Sequence, residues 1–283
     1  MLFCFCEKFF NLKKTYCGIT NQSKNMFVIG FFLPFFISAL FIIRLLKNEE
    51  DVTIHKNIPA RKYNFLNKEK YLHELFEKNS DFYKQLDTLN KRVFIKRIHL
   101  FINTSYFIPN EHITLTSEMV CLFSACFVQM TFKMPKKILK FFNYIEIFPD
   151  KFYSTNTKNY HIGEVNLDGH LRISWEAFMY GHKIKEDGIH VGIHEIAHAI
   201  SIEVIKFEDK FSTLVSNLKP IYIRANNEIK GNITRNSILR NYAFQNMHEY
   251  FAVASETYFE IPEKLKNHYP ELYNELEAFY NSI

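Results

Sequence analysis

The 283-residue chain is poor in cysteine, has no long block of one charge, and shows neither an internal repeat nor a low-complexity tract. Its five cysteines are Cys4, Cys6, Cys17, Cys121 and Cys126, and none forms a CxxC pair. That excludes a disulfide framework and a cysteine zinc site, and it suits a reducing compartment for the main domain. Cys121 and Cys126 flank an apolar stretch and read as buried small hydrophobes. The net charge is only +5, with lysines scattered among carboxylates, so nothing proposes nucleic acid as a partner. Tryptophan occurs once, as Trp175, and core packing is the simplest reading of it. Against these absences stand 30 Phe, 16 Tyr and a hydrophobic share of 47%, which specify a packed globule.

The N-terminal part is organised differently. Residues 25–43 carry no charge, and Arg44 and Lys47 follow directly. That length spans a bilayer core, which predicts one transmembrane helix over residues 26–46. No small-residue cleavage site follows the run, so a signal peptide does not fit. Residues 1–25 form a short leading segment that is not translated if Met26 is the start. Residues 47–60, with Glu49, Glu50, Asp51 and Pro59, read as a polar linker, and residues 61–283 as the folded domain. Lysines and arginines are close to balanced across the run. A start at Met26 removes the upstream lysines and places the domain in the cytoplasm, as a single-pass membrane protein.

Within the domain, Phe65, Leu72, Leu75, Phe76, Phe82, Leu86 and Leu89 fit amphipathic helices between about Tyr63 and Lys96. Leu115 to Phe132 is a further, buried helix with Thr116 or Ser117 as its cap. Short β-prone runs follow at 144–148, 161–165 and 171–175, and Asp168-Gly169 predicts a hairpin between the last two. Helices are expected from about Ile189 to Val204, from Tyr242 to Glu260 with Pro262 as the stop, and from Pro270 to Tyr280. The fold class is α+β, mainly helical with a small sheet.

The run His194-Glu195-Ile196-Ala197-His198 is an HExxH motif. Histidines four apart on a helix share a face and can reach one metal ion, and the glutamate between them is placed to take a proton from an attacking water. Zinc needs a third protein ligand. The metzincin pattern would place Gly at 201 and His at 204, where this chain has Ser201 and Val204, so that class is excluded. A deformylase-like site needs a nearby upstream cysteine, and the nearest is Cys126. A glutamate from a later helix remains. Tyr242, Glu249 and Glu256 are spaced by seven and would share one face of a continuous helix. The apolar neighbours of Glu249 would leave a lone carboxylate poorly solvated, a cost that a metal ion offsets.

Gly163-Glu164-Val165, Ile173-Ser174-Trp175, Asp187-Gly188, the HExxH run, Glu249 to Glu256, Tyr269 to Tyr273 and Phe279-Tyr280 keep the order and spacing of a known family. From about Tyr63 onward the chain resembles the Mlc titration factor A family of zinc metallopeptidases. Those proteins are gluzincin-like and similar in their catalytic part to anthrax lethal factor. The resemblance implies a zincin-like domain that binds Zn2+ through His194, His198 and Glu249, with Glu195 as general base and Tyr242 as the transition-state tyrosine. It implies a peptide or protein substrate and aminopeptidase-like activity on short peptides. It also implies an alternative role: a regulatory protein that sequesters a transcriptional repressor, with peptidase activity secondary. Two positions depart from the family, His190 where Asn is usual and Ser201 where Asp is usual. Glu256 is expected to orient a ligand histidine. His190 and His248 adjoin the ligands, and capping or packing is the simpler role for a histidine so placed. Leu171 to Trp175 is expected to be an edge strand that aligns an extended substrate.

Overall fold

The computed structural model describes residues 69–135, 139–231 and 237–282. The expected transmembrane helix at 26–46, its leading segment and the linker lie outside these residues. Among the described residues no helix is long and apolar enough to cross a membrane.

Among the described residues ten α-helices and six strands order as α1 (Glu69–Asn79), α2 (Asp81–Gln85), α3 (Thr88–Thr104), β1 (Tyr106–Pro109), α4 (Ser117–Thr131), β2 (Tyr144–Phe148), β3 (Phe152–Ser154), β4 (Asn159–His161), β5 (Gly163–Val165), β6 (His170–Ser174), α5 (Trp175–Lys183), α6 (Val191–Lys206), α7 (Ser212–Lys230), α8 (Met247–Glu260), α9 (Pro262–His268) and α10 (Pro270–Tyr280), with a 3₁₀ turn at Asn241–Gln245 before α8. The architecture is α+β and mainly helical.

Four strands make one sheet in the order β1-β2-β6-β5, and β3 pairs with β4 in a separate hairpin. β1, β2 and β6 run parallel, and β5 runs antiparallel to β6 with Val165 opposite Leu171. The expected hairpin across Asp168-Gly169 is present, and Gly169 supplies the positive φ of 88° that the turn needs. Strand alternation then sorts the side chains by face. Phe107, Ile145, Leu171, Ile147 and Ile173 are buried on the inner face. On the outer face Tyr106, Tyr144 and His170 stack ring on ring at 5.1 and 4.9 Å. Beside them Arg172 joins Glu146 and Glu164, at 2.8 and 3.0 Å.

Two expectations change here. The run 161–165 is not one strand, because β4 and β5 separate at Ile162. Leu171 to Ser174 is not an edge: β6 lies between β2 and β5, and Trp175 opens α5. The free edge on that side is β5. The indole of Trp175 stacks on Phe178 at 5.0 Å, a packing role.

α6 packs across β5, β6, α4 and α8. It is buried nearly all round, as a helix at the centre of a domain must be. α8 is buried from Tyr250 to Thr257 and lies directly against it. These two helices carry the candidate site.

Candidate metal centre

α6 begins at Val191, later than expected, because His190 is its N-cap. The His190 Nδ1 accepts from the backbone N–H of Gly192 at 3.1 Å and of Ile193 at 3.4 Å. Burial pushes this imidazole down to about 3, which keeps the accepting nitrogen unprotonated. Asparagine, usual at this position in the resembled family, is among the best N-caps. The imidazole takes over the same bond.

α8 is interrupted where a continuous helix was expected. Asn246, in an extended conformation, caps it by accepting from His248 N at 2.9 Å and Glu249 N at 3.0 Å. Tyr242 therefore belongs to the separate 3₁₀ turn, and the Tyr242, Glu249, Glu256 ladder is not one helical face. Tyr242 still reaches the site, with its ring 5.8 Å from that of His194. Burial, reinforced by the negative charge of Glu249, holds its hydroxyl up at about 12, so it stays a hydrogen-bond donor at neutral pH.

His194, His198 and Glu249 offer one ligand atom each, all within 4.8 Å of one another. The Nε2 atoms of His194 and His198 are 3.1 Å apart, and Glu249 Oε2 lies 3.1 Å from the first and 3.4 Å from the second. Ligand bonds of roughly 2.0–2.1 Å in tetrahedral geometry put donor atoms about 3.3 Å apart. The three atoms thus fit a single small cation. Two imidazole nitrogens facing each other at this distance cannot both be lone pairs without something positive between them. Electrostatics agree. Burial opposes charge on His194, but Glu249 and Glu256 together raise it to about 10. Burial holds His198 low, and the two histidines hold Glu249 below the usual carboxylate range against its own burial.

Behind the cluster, the His194 Nδ1–H donates to Glu256 Oε1 at 2.7 Å, leaving Nε2 as the free donor atom. Glu256 is 1% exposed, accepts the His190 backbone N–H at 2.7 Å and is paired with Arg240. A carboxylate on the second nitrogen of a metal-binding histidine is the usual outer support of such sites. Nothing in the spacing of Arg240 announced its part.

Glu195 is buried beside the cluster, and burial pushes its carboxyl up to about 8. It lies flat against β5: a Cβ added at Gly163 would fall 2.3 Å from Glu195 Oε1. His248 stays outside the cluster; its Nδ1 meets the Tyr222 hydroxyl at 3.1 Å, and burial lowers its imidazole to about 4. Ser201 donates to the His198 backbone carbonyl at 3.0 Å and reaches no ligand side chain.

The family model for the glucose-regulated metallo-peptidase M90 matches residues 57–281. An uncharacterized protein of Synechocystis sp. (slr2042) is 22% identical over 219 residues, covering 70% of this chain and 79% of its own length.

Proposed function

The chain belongs to the glucose-regulated metallo-peptidase M90 family, and from that membership we propose a zincin-like, zinc-dependent peptidase in which His194, His198 and Glu249 hold the ion. The observation that carries the reading is the convergence of those three ligand atoms, with Glu256 behind His194. Two imidazoles and one carboxylate are the donor set zinc favours, and three protein ligands leave a position open for chemistry. When bound, zinc supplies Lewis acidity, lowering the pKa of a coordinated water toward ~7 and polarising a carbonyl.

The remaining work falls to the side chains. Glu195 accepts the proton of the attacking water and passes it to the leaving amine, a role suited to a buried carboxylate whose pKa is already high. A cation held by His194, His198 and Glu249 would favour the ionised form of Glu195, the form that accepts a proton. The Tyr242 hydroxyl donates to the oxyanion as it develops. Gly163 to Val165, the free edge next to Glu195, aligns an extended peptide by backbone pairing, and aminopeptidase-like cleavage of short peptides follows from the resemblance. The apolar segment at 26–46, charge-free as far as residue 43, anchors the enzyme to a membrane, with the domain on the cytoplasmic side.

Glu195→Gln tests the chemistry: hydrolysis of a peptide library is lost while elemental analysis still finds one zinc per chain. Glu249→Ala tests the ligand set and removes the zinc. Activity surviving in metal-loaded Glu195→Gln would overturn the assignment of the base. Alkaline carbonate extraction tests the anchor, which predicts that the full chain stays with membranes.

A further inference from the structure

A cavity of about 280 Å³ lies behind the start of α6, walled by the α1–α2 junction, α4 and the ends of α5 and α8. None of His194, Glu195, His198 or Glu249 lines it. From Met119 to Thr131, α4 is buried except at Cys126 and Gln129, and both of these turn to the cavity. Its size is at the lower end of small-molecule sites.

The wall has more polar capacity than the protein uses. Among the described residues the Gln129 amide and the His182 imidazole have no hydrogen-bond partner. Glu260 spends one oxygen on the backbone N–H of Glu186, while its Oε2 is enclosed and unpaired. Burial holds that carboxyl up at about 7, the mark of a group short of a counter-charge. Three carboxylates, Asp81, Glu186 and Glu260, line the cavity against one ammonium, Lys185, which is already paired with Asp81 at the exposed rim. Buried acceptors without donors are costly, and a cationic donor relieves both the charge and the missing bond.

We propose that this cavity is a second ligand site, taking a small molecule with a primary ammonium group, either a free amino acid or a short diamine. The ammonium donates to Glu260, after a small turn of its terminal torsion, and to the Gln129 amide oxygen. In a free amino acid the carboxylate would meet His182 and Lys185; in a diamine the second ammonium would meet Glu186. The site is not isolated from the metal helix. His190 forms part of the wall, and its N–H holds Glu256, which in turn orients His194.

The test is a calorimetric titration of the full chain with 1,4-diaminobutane, with L-alanine and, as an uncharged control, with 1-butanol. At least one ammonium compound binds saturably in the millimolar range or tighter, and the alcohol does not. The tighter of the two identifies the source. Glu260→Gln and Gln129→Leu each weaken that binding tenfold or more without changing zinc stoichiometry. Gln129→Leu decides the matter if Glu260→Gln does not fold. Absence of saturation by both ammonium compounds, equal binding of the alcohol, or unchanged binding in a folded variant overturns the proposal. No peptidase activity is read, so failure here leaves the metal centre standing, and failure there leaves this site standing.

Discussion

Gly163 shows how much of the site depends on a hydrogen atom. Its missing side chain lets Glu195 lie against the sheet edge, since a methyl group there would meet Glu195 Oε1, Cδ and Cγ at 2.3 to 2.6 Å. The obstructed atoms are the mobile end of a side chain rather than backbone, so the molecule can yield cheaply. What yields is the proposed base. Gly163→Ala should therefore leave thermal stability and zinc content near wild type while kcat falls about a hundredfold, the loss expected of a catalytic group misplaced by ~1 Å. Steady-state kinetics alongside elemental analysis reads both; unchanged kcat would mean that Glu195 does not act from this position. Glu256 makes the complementary case. It holds His194 from behind and touches no substrate, so Glu256→Gln should weaken zinc binding by about 10- to 100-fold in a chelator competition. Both contacts join residues far apart in sequence, 163 to 195 and 194 to 256. The sequence reading names Glu256 as the support of a ligand histidine, and the fold shows that histidine to be His194; nothing in the spacing pointed to Gly163. HExxH, by contrast, is legible because both histidines lie on one helix.

Elements were legible where local chemistry sets their limits. Thr116 caps α4 through Met119 N, and Pro270 opens α10, as the sequence signals imply. Two helices were obscured. α7 keeps Pro220 in its interior, a residue that ordinarily ends a helix, and buries Leu214, Leu218, Ile221 and Tyr222 despite it. The break before α8 was written in Asn246-x-x-Glu249, a capping pattern, yet the sevenfold spacing argued for a single helix. The cap at His190 carries a pH consequence. Its folded pKa of about 3 lies below the ordinary 6.5, so between these values the unfolded chain binds the extra proton. Stability from this group is fully present above 6.5 and is lost as pH falls toward 3, by about 2 kcal/mol at pH 5. Asparagine caps without titrating. His190→Asn should then match wild type at pH 7 and exceed it by about 2 kcal/mol at pH 5 in urea unfolding of the zinc-free protein. Parallel pH profiles for the two proteins would rule out the titrating cap. His190→Ala should lose about 1 kcal/mol at pH 7.

At the scale of the molecule, the site exists because α8 is laid beside α6, which itself packs across β5 and β6, an arrangement set by burial rather than by any local signal. The apolar faces of both helices, the inner face of the sheet and α4 form one continuous core. That core is built of apolar side chains and includes none of His194, His198 or Glu249. Without metal, His194 is held protonated between Glu249 and Glu256, so a proton takes over part of the charge balance. Chelation should accordingly leave a folded protein that has lost activity and a portion of its stability. The portion is set by mass action: about 4 kcal/mol for zinc at a thousandfold excess over its Kd, or on the order of 10 °C in the unfolding temperature of a domain this size. Differential scanning calorimetry with chelator, then with zinc restored, measures it directly. His198→Ala removes one ligand and should abolish most of the zinc-dependent shift while keeping the cooperative unfolding of the metal-free protein. A zinc shift of full size in that variant would place the ion elsewhere. Collapse of the wild-type fold on chelation would mean that the metal, rather than the core between α6 and α8, holds the two helices in register.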